Sequence, residues 1–168
     1  MSEPDIRVRP ADLGDDAAIW AVLRPAVEAG ETLCAPPGGG QEGAFAYWRP
    51  PGAVNFVAEL EGRVVGTSYL RPNQTGGGAH VANAGYATHP DAAGRGVARA
   101  LLAHSLGEAK ARGFRAMQYN FVLASNVRAV ATWERAGFEV VGRLPSAFLH
   151  PKLGYVDALV MYRSLVEE

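Results

Sequence analysis

The most informative segment of the sequence is Ala93-Gly94-Arg95-Gly96-Val97-Ala98, at residues 93–98. A strand-like segment ends shortly before it, and a helical apolar face begins within it, formed by Val97, Leu101, Leu102, Ser105, Leu106 and Ala109. The start of a helix carries N–H groups without partners and the positive end of the helix dipole. Glycine lets that backbone approach an anion closely. The stretch therefore predicts a strand, a glycine loop and a helix start that together bind an anion.

The charges around this loop support the same interpretation. Arg95 and Arg99 lie at the positive end of the helix, where a cation is unfavourable by about 0.3–1 kcal/mol, and no carboxylate follows in the helix before Glu108. A bound anion would remove that conflict. The sequence lacks the Gly-Lys-Ser/Thr of nucleoside triphosphatases, and Arg99 stands where a dinucleotide loop needs its third glycine. A plain turn, with glycine for conformation and arginine for solubility, stays the alternative.

The residues on either side of the loop follow the patterns of an α/β domain. Strands are predicted at residues 6–9, 54–60, 63–70, 80–88, 116–123, 139–142 and 154–163. Helices are predicted at residues 19–30, 97–113 and 126–137, with a short helical turn at 45–48. Two Pro-containing loops, 31–43 and 144–153, are expected to shape the binding pocket, and the first to be mobile. The order predicts a single domain over residues 1–168, with a mixed six- to seven-stranded sheet and helices on both faces.

Composition excludes several classes of protein. The chain has 168 residues, a formal net charge of −1 and no run of Lys or Arg, so we expect neither a nucleic acid nor a membrane surface as partner. Its single cysteine, Cys34, excludes an internal disulfide, and the four histidines show no metal-ligand spacing, so no metal is expected. Residues 1–5 do not resemble a secretion signal, and no stretch reaches the roughly 20 apolar residues of a membrane span. We therefore expect a cytoplasmic protein.

Two segments carry a resemblance to a known family. Residues 86–102 resemble the acetyl-CoA segment of the GNAT acyltransferase superfamily, whose pattern Gln/Arg-x-x-Gly-x-Gly/Ala falls on residues 93–98. Ala93 replaces the usual Gln or Arg, so one side-chain contact to phosphate is missing, whereas the backbone donors are kept. Residues 126–139 are similar to the family's helix Asn-x-x-Ala … Tyr-Glu-Lys-x-Gly-Phe. The two segments stand in the family's order and spacing.

The resemblance implies a fold and a set of ligand contacts. The strands at 80–88 and 116–123 would splay apart, and the pantetheine arm of acetyl-CoA would pair with backbone groups of Tyr86, Ala87 and Thr88. Asn126 would meet the same arm. The pyrophosphate would lie on the loop and first helical turn, at Gly94, Arg95, Gly96, Val97, Ala98 and Arg99. An amine would then attack the thioester directly in a ternary complex, and a backbone N–H near Tyr86 or Ala87 would stabilise the developing oxyanion.

The catalytic groups are harder to assign. Many relatives have a tyrosine at the position of Trp133, where it acts as the acid that protonates the leaving thiolate. Because an indole cannot protonate a thiolate, Trp133 is either a ligand contact or only a core aromatic. Tyr86, Tyr119 or water could replace the acid. The strand before the loop also lacks the carboxylate that often serves as base, and Glu59 or a water chain is a candidate. Asn83 and Asn120 lie on the two splayed strands. We predict that they face each other and hold a substrate carboxylate or a water, with two hydrogen-bonded structural amides as the alternative.

The acceptor is predicted from a finer resemblance. Residues 141–162 resemble a subgroup that includes fungal acetyltransferases of proline analogues such as azetidine-2-carboxylate. The predicted function is therefore acetylation of a small-molecule amine, an amino acid or its analogue. A protein N-terminal or lysine acetyltransferase and a non-catalytic acetyl-CoA sensor are the alternatives. The resemblance also allows a homodimer through the C-terminal strands. Asp157 is predicted to be a structural hydrogen-bond acceptor, with a contact to the substrate as the alternative.

Overall fold

A computed structural model describes residues 4–167 of the chain, so residues 1–3 and 168 of the predicted domain lie outside the described residues. The α-helices are α1 (Asp16–Ala29), α2 (Gly40–Trp48), α3 (Val97–Ala111) and α4 (Val127–Arg135). The strands are β1 (Ile6–Pro10), β2 (Val54–Leu60), β3 (Arg63–Pro72), β4 (Val81–Thr88), β5 (Ala116–Leu123), β6 (Glu139–His150) and β7 (Gly154–Ser164).

The strands form one sheet in the order β1-β2-β3-β4-β5-β7-β6. The β4–β5 pair is parallel and every other neighbouring pair is antiparallel. The predicted mixed sheet of six to seven strands is thus confirmed.

Helices cover both faces of this sheet, as the alternation of side chains along β2 shows. Val57 packs with residues of α1 and α2, among them Ile19 and Trp48. The next residue, Ala58, points to the opposite face and packs with Val97 of α3. The prediction of helices on both faces is confirmed. None of the helices between residues 4 and 167 combines the length and apolar character needed to cross a membrane.

The central parallel pair, β4 and β5, is joined only at its beginning. Val81 and Ala82 pair with Ala116 and Met117, and the two strands then separate. β4 stays paired with β3 as far as Thr88, so only the edge that faces β5 is left without a partner strand among residues 4–167. This gap is the predicted splay.

Two loop predictions need correction. Helix α2 begins at Gly40, inside the predicted loop at 31–43. Strand β6 continues to His150 through most of the predicted loop at 144–153. The strand absorbs Pro145 at an irregularity between Leu144 and Phe148, and the positive φ of Ser146 is held by a hydrogen bond from its N–H to Asp157. An edge strand tolerates proline because one side of its backbone needs no partner.

Candidate active site

Two connected hollows lie where β4 and β5 separate. A cavity of about 680 Å³ opens on the α1–α2 face of the sheet and reaches through the gap to α4. A groove of about 730 Å³ runs between α3 and α4. Thr88, Ala129 and Trp133 line both, so the groove and the cavity form one passage from the glycine loop to the gap. We call the two parts the acceptor cavity and the donor groove.

The glycine loop ends at the donor groove with its backbone exposed. Gly94 and Gly96 have positive φ values of 76° and 86°, which side-chain-bearing residues rarely adopt. Helix α3 begins at Val97 with no side-chain cap and no acidic residue in its first turn. Its first N–H groups are therefore free of any competing carboxylate, which suits a bound phosphate. Of the contacts predicted for the pyrophosphate, the ones that line the groove are Gly94, Gly96, Val97, Ala98 and Arg99.

The arginines around the groove differ from the prediction. Arg95 is absent from the residues that line the groove; its Nη2 lies 3.1 Å from Oε1 of Glu61, at a neighbouring depression that shares Gly94, Gly96 and Arg99 with the groove. Arg128 and Arg135 of α4 line the groove instead. Sequence reasoning missed both, although their spacing of seven residues places them on one face of a helix.

Three aromatic residues, Tyr86, Tyr119 and Trp133, line the gap on the α3–α4 face. Tyr86 and Tyr119 join their hydroxyls at 2.8 Å, and the Tyr86 hydroxyl also bonds to Ser105. Burial raises the pKa of Tyr86 to about 12 and that of Tyr119 well above its usual value. Such phenols are poor proton donors to a thiolate whose own pKa is near 8.5. The structure therefore speaks against either tyrosine as the replacement acid.

Trp133 belongs both to the core and to the passage. Its ring centroid lies 5.2 Å from that of Tyr86 and 5.3 Å from that of Tyr119, and 8% of the residue is exposed. It lines the donor groove and the acceptor cavity. Asn126 caps α4, since its Oδ1 accepts from the N–H of Ala129 at 3.3 Å, and it also lines the cavity.

Asn83 and Asn120 both line the acceptor cavity, but they do not bond to each other. Asn83 donates from Nδ2 to the carbonyl of Gln118 at 2.9 Å and accepts at Oδ1 from Nε of Arg71 at 3.2 Å. Asn120 accepts from Nε2 of Gln118 at 2.9 Å and donates to Oδ1 of Asn73 at 2.7 Å. Both amides are hydrogen-bonded within the protein, as the structural alternative requires, while they remain at the cavity wall.

Other candidate residues lie away from this cavity. Glu59 is in an ion pair with Arg9 at 2.9 Å and borders the depression behind the glycine loop. Asp157 accepts from Arg143 and from the N–H of Ser146, which confirms its structural role. Of the two loops expected to shape the pocket, the first contributes Thr32, Leu33 and Cys34. No residue of the segment 144–153 lines the cavity directly, but Phe148 packs against Phe121 of the cavity wall, with ring centroids 6.3 Å apart.

Comparison with known proteins gives consistent matches. The structure of a GCN5-related N-acetyltransferase from Kribbella flavida is similar over 95% of this chain and 97% of that chain, with 40% identity and a TM-score of 0.89. A phosphinothricin acetyltransferase from Sinorhizobium meliloti, in complex with AcCoA, covers 95% of this chain and 88% of its own at 25% identity and a TM-score of 0.79.

A curated relative and a family model agree with these structures. N-acetyltransferase aca1 of Schizosaccharomyces pombe is 33% identical over 98 residues, which are 58% of this chain and 47% of the relative, so the match spans about half of that protein's length. Residues 24–138, more than half of the chain, match the model of the Acetyltransferase (GNAT) family. The chain belongs to the GNAT acetyltransferase family and is an acyltransferase.

Proposed function

We propose that this enzyme transfers the acetyl group of acetyl-CoA to the amine of a small molecule, an amino acid or an analogue of one. The observation that carries the proposal is the continuous passage from the uncapped start of α3 to a cavity lined by aromatic, amide and apolar groups. A neighbour in complex with AcCoA supports the donor, and its phosphinothricin acetyltransferase name supports a small acceptor.

The donor would be held mainly by backbone groups. N–H groups of the loop and the first turn of α3 would bind the pyrophosphate, with positive charge from Arg99, Arg128 and Arg135 along the groove. The contact predicted for Arg95 would require that side chain to leave Glu61. The unpaired edge of β4 at Tyr86, Ala87 and Thr88 offers hydrogen-bonding groups to an extended pantetheine arm.

Bound acetyl-CoA supplies an activated thioester, and the acceptor amine attacks its carbonyl carbon in a ternary complex. The N–C bond forms, the C–S bond breaks, the thiolate leaves with the electron pair, and the proton of the amine passes to water. A backbone N–H near Tyr86 or Ala87 donates to the carbonyl oxygen as charge develops there. A thiol pKa near 8.5 lets the thiolate leave unprotonated at a cost of about ten- to thirtyfold in rate at neutral pH, so Trp133 need not act as an acid.

The other candidate functions predict different substrates. A protein N-terminal or lysine acetyltransferase would accept peptides, and a sensor module would bind acetyl-CoA without turnover. The position of the cavity favours a small acceptor, because α2 and the segment before it cover one side with Leu33, Cys34, Tyr47 and Trp48.

One assay separates the three functions. The enzyme is incubated with acetyl-CoA and a panel of the twenty amino acids, azetidine-2-carboxylate, a peptide with a free N-terminus and a peptide whose only amine is lysine, and released thiol is measured. We expect steady turnover with at least one amino acid or analogue. Turnover with peptides alone would replace the proposal by the protein-directed alternative. If no acceptor of the panel releases thiol but tryptophan fluorescence changes on addition of acetyl-CoA, the protein would be a sensor.

We further propose that two copies pair through β6. This strand lies at the edge of the sheet and carries exposed apolar side chains, among them Val141 at 59% and Leu149 at 61% exposure. Long apolar edge strands are readily paired or covered by another chain.

A further inference from the structure

We infer that Arg71 binds the carboxylate of the acceptor and thereby selects amino acids over amines that carry no anionic group. The inference rests on the proposed function, because it concerns the acceptor cavity of the same reaction. It assigns the carboxylate to a residue that the sequence did not single out.

The charge of the acceptor cavity is the first reason. Among the residues that line it within the described chain, Arg71 is the only one with a charged side chain; the others carry amide, hydroxyl, thiol, aromatic or apolar groups. Arg71 is partly buried and has no carboxylate within 4.0 Å among residues 4–167. A partly desolvated cation without a counterion is unfavourable. An anionic group on the acceptor would supply the missing charge.

The hydrogen bonds of Arg71 are the second reason. In the pairing of β3 with β4, Arg71 lies directly opposite Asn83, whose Oδ1 accepts from Nε at 3.2 Å. Asn83 is itself anchored to the carbonyl of Gln118. The guanidinium is thus held by one edge, and its two Nη atoms have no acceptor among the described residues. Two free Nη groups in a planar fork match the two oxygens of a carboxylate.

This arrangement also revises the role predicted for the asparagines. Both polar ends of Asn83 and of Asn120 already bond to protein groups. Their bonds orient Arg71 and the wall of the cavity, and the guanidinium adds two free Nη groups and the positive charge that the amides lack. Arg71 is therefore a specificity-determining residue, and Asn83 is a positioning residue for it.

The test compares Arg71→Gln and Arg71→Lys with Arg24→Gln, a matched control that removes an exposed arginine from helix α1. For each enzyme, kcat/KM is measured with the best amino acid of the panel and with azetidine-2-carboxylate, and again with the carboxamide of each. KM for acetyl-CoA and the melting temperature are measured in parallel. The carboxamide keeps the shape of the acceptor and removes the charge of its carboxylate; because it also lowers the pKa of the amine, kcat/KM is compared per concentration of unprotonated amine.

We expect the wild-type enzyme to prefer the carboxylate over the carboxamide. Arg71→Gln should lower kcat/KM for the carboxylate about ten- to a hundredfold, mainly through KM, because a hydrogen-bonded charge pair is lost. The same variant should change the carboxamide reaction and the KM for acetyl-CoA less than about twofold. Arg71→Lys should keep part of the preference, since it keeps the charge but not the fork. Arg24→Gln should behave as wild type.

Three results would overturn the inference, and they are distinguishable. Equal losses with carboxylate and carboxamide would make Arg71 a structural residue. A wild-type enzyme that acetylates small amines but does not prefer the carboxylate would remove the role of Arg71 and leave the proposed function standing. Turnover of peptides alone would remove the proposed function and the inference with it.

Discussion

At the scale of single residues, the amides at the cavity wall combine a structural and a functional role. We predict that replacing Asn83 and Asn120 together by alanine lowers kcat/KM for the best acceptor by about tenfold or more, because Arg71 and Gln118 lose partly buried hydrogen bonds. Steady-state kinetics checks this. Asn55→Ala is the control, since it also removes a strand amide but lies outside the acceptor cavity. An unchanged kcat/KM in the double variant would contradict the assignment.

The residues that line the acceptor cavity also predict how kcat/KM depends on pH. No Asp, Glu or His is among the residues that line the acceptor cavity in the described part of the chain. We expect the amine to lose its proton to water before it attacks, so that log kcat/KM rises with pH at a slope of one up to the amine's own pKa. Burial raises the pKa of Tyr47 and of Tyr86 to about 12, so neither adds an inflection below pH 10.

The measurement uses two acceptors whose amine pKa values differ by at least one unit. The pH at which log kcat/KM levels off should differ between the two acceptors by the difference between their amine pKa values. An inflection near pH 6–7 that is the same for both acceptors would instead reveal a base on the enzyme.

Single residues also show which features of the site could be predicted from the sequence. The glycine loop and the cap at Asn126 are local features, so residue type and spacing were sufficient to predict them. Arg71 has no local signal, because its role depends on lying opposite Asn83 in the β3–β4 pairing. The partner of Arg95 was not predicted for a similar reason: Glu61 lies in the turn between β2 and β3, far away in sequence.

At the scale of elements, two glycines set the positions of a helix and of an aromatic ring. A Cβ on Gly66 of β3 would lie 2.6 Å from Cγ1 of Val97, so alanine there should push the first turn of α3 away from the sheet. A Cβ on Gly85 of β4 would overlap the ring of Tyr69, which should move toward the acceptor cavity. Each substitution forces extra volume into a packed site.

We therefore predict that the two variants affect the KM values of different substrates. Gly66→Ala should raise KM for acetyl-CoA about tenfold, and Gly85→Ala should raise KM for the acceptor by a similar factor. The two variants serve as controls for each other, because they make the same chemical change in neighbouring strands. If both shifted the same KM, the division into donor groove and acceptor cavity would be wrong.

The helices and strands with a regular apolar pattern were predicted well, whereas the full length of the edge strand β6 was not. The helix α3 and the strands β4 and β5 have regular patterns that matched the structure within a residue or two. Pro145 favoured a loop, but β6 keeps its pairing with β7 around an irregularity there. Only the strand order, which puts β6 at the edge, shows why proline is tolerated, and that order is not a local property.

At the scale of the whole molecule, the exposed edge of the sheet predicts the oligomeric state. We expect a dimer at micromolar concentration, and Val141→Lys should yield monomers because it places a charge among the exposed apolar residues of β6. Light scattering after size-exclusion chromatography measures the mass. Leu13→Lys is the control, since Leu13 is 90% exposed and lies outside β6. A wild-type protein that is monomeric at tens of micromolar would refute the pairing.

The gap between β4 and β5 also links folding to the supply of substrate. The backbone groups of residues 83–88 that point into the gap have no partner strand within the described chain. The amide hydrogens among them should therefore exchange quickly in the free enzyme. Acetyl-CoA should slow that exchange, while the hairpin of β2 and β3 exchanges as before. At a hundredfold excess over Kd the donor would add about 2.7 kcal/mol to the free energy of unfolding. Resistance of the enzyme to heat and proteolysis would then follow the concentration of acetyl-CoA around it.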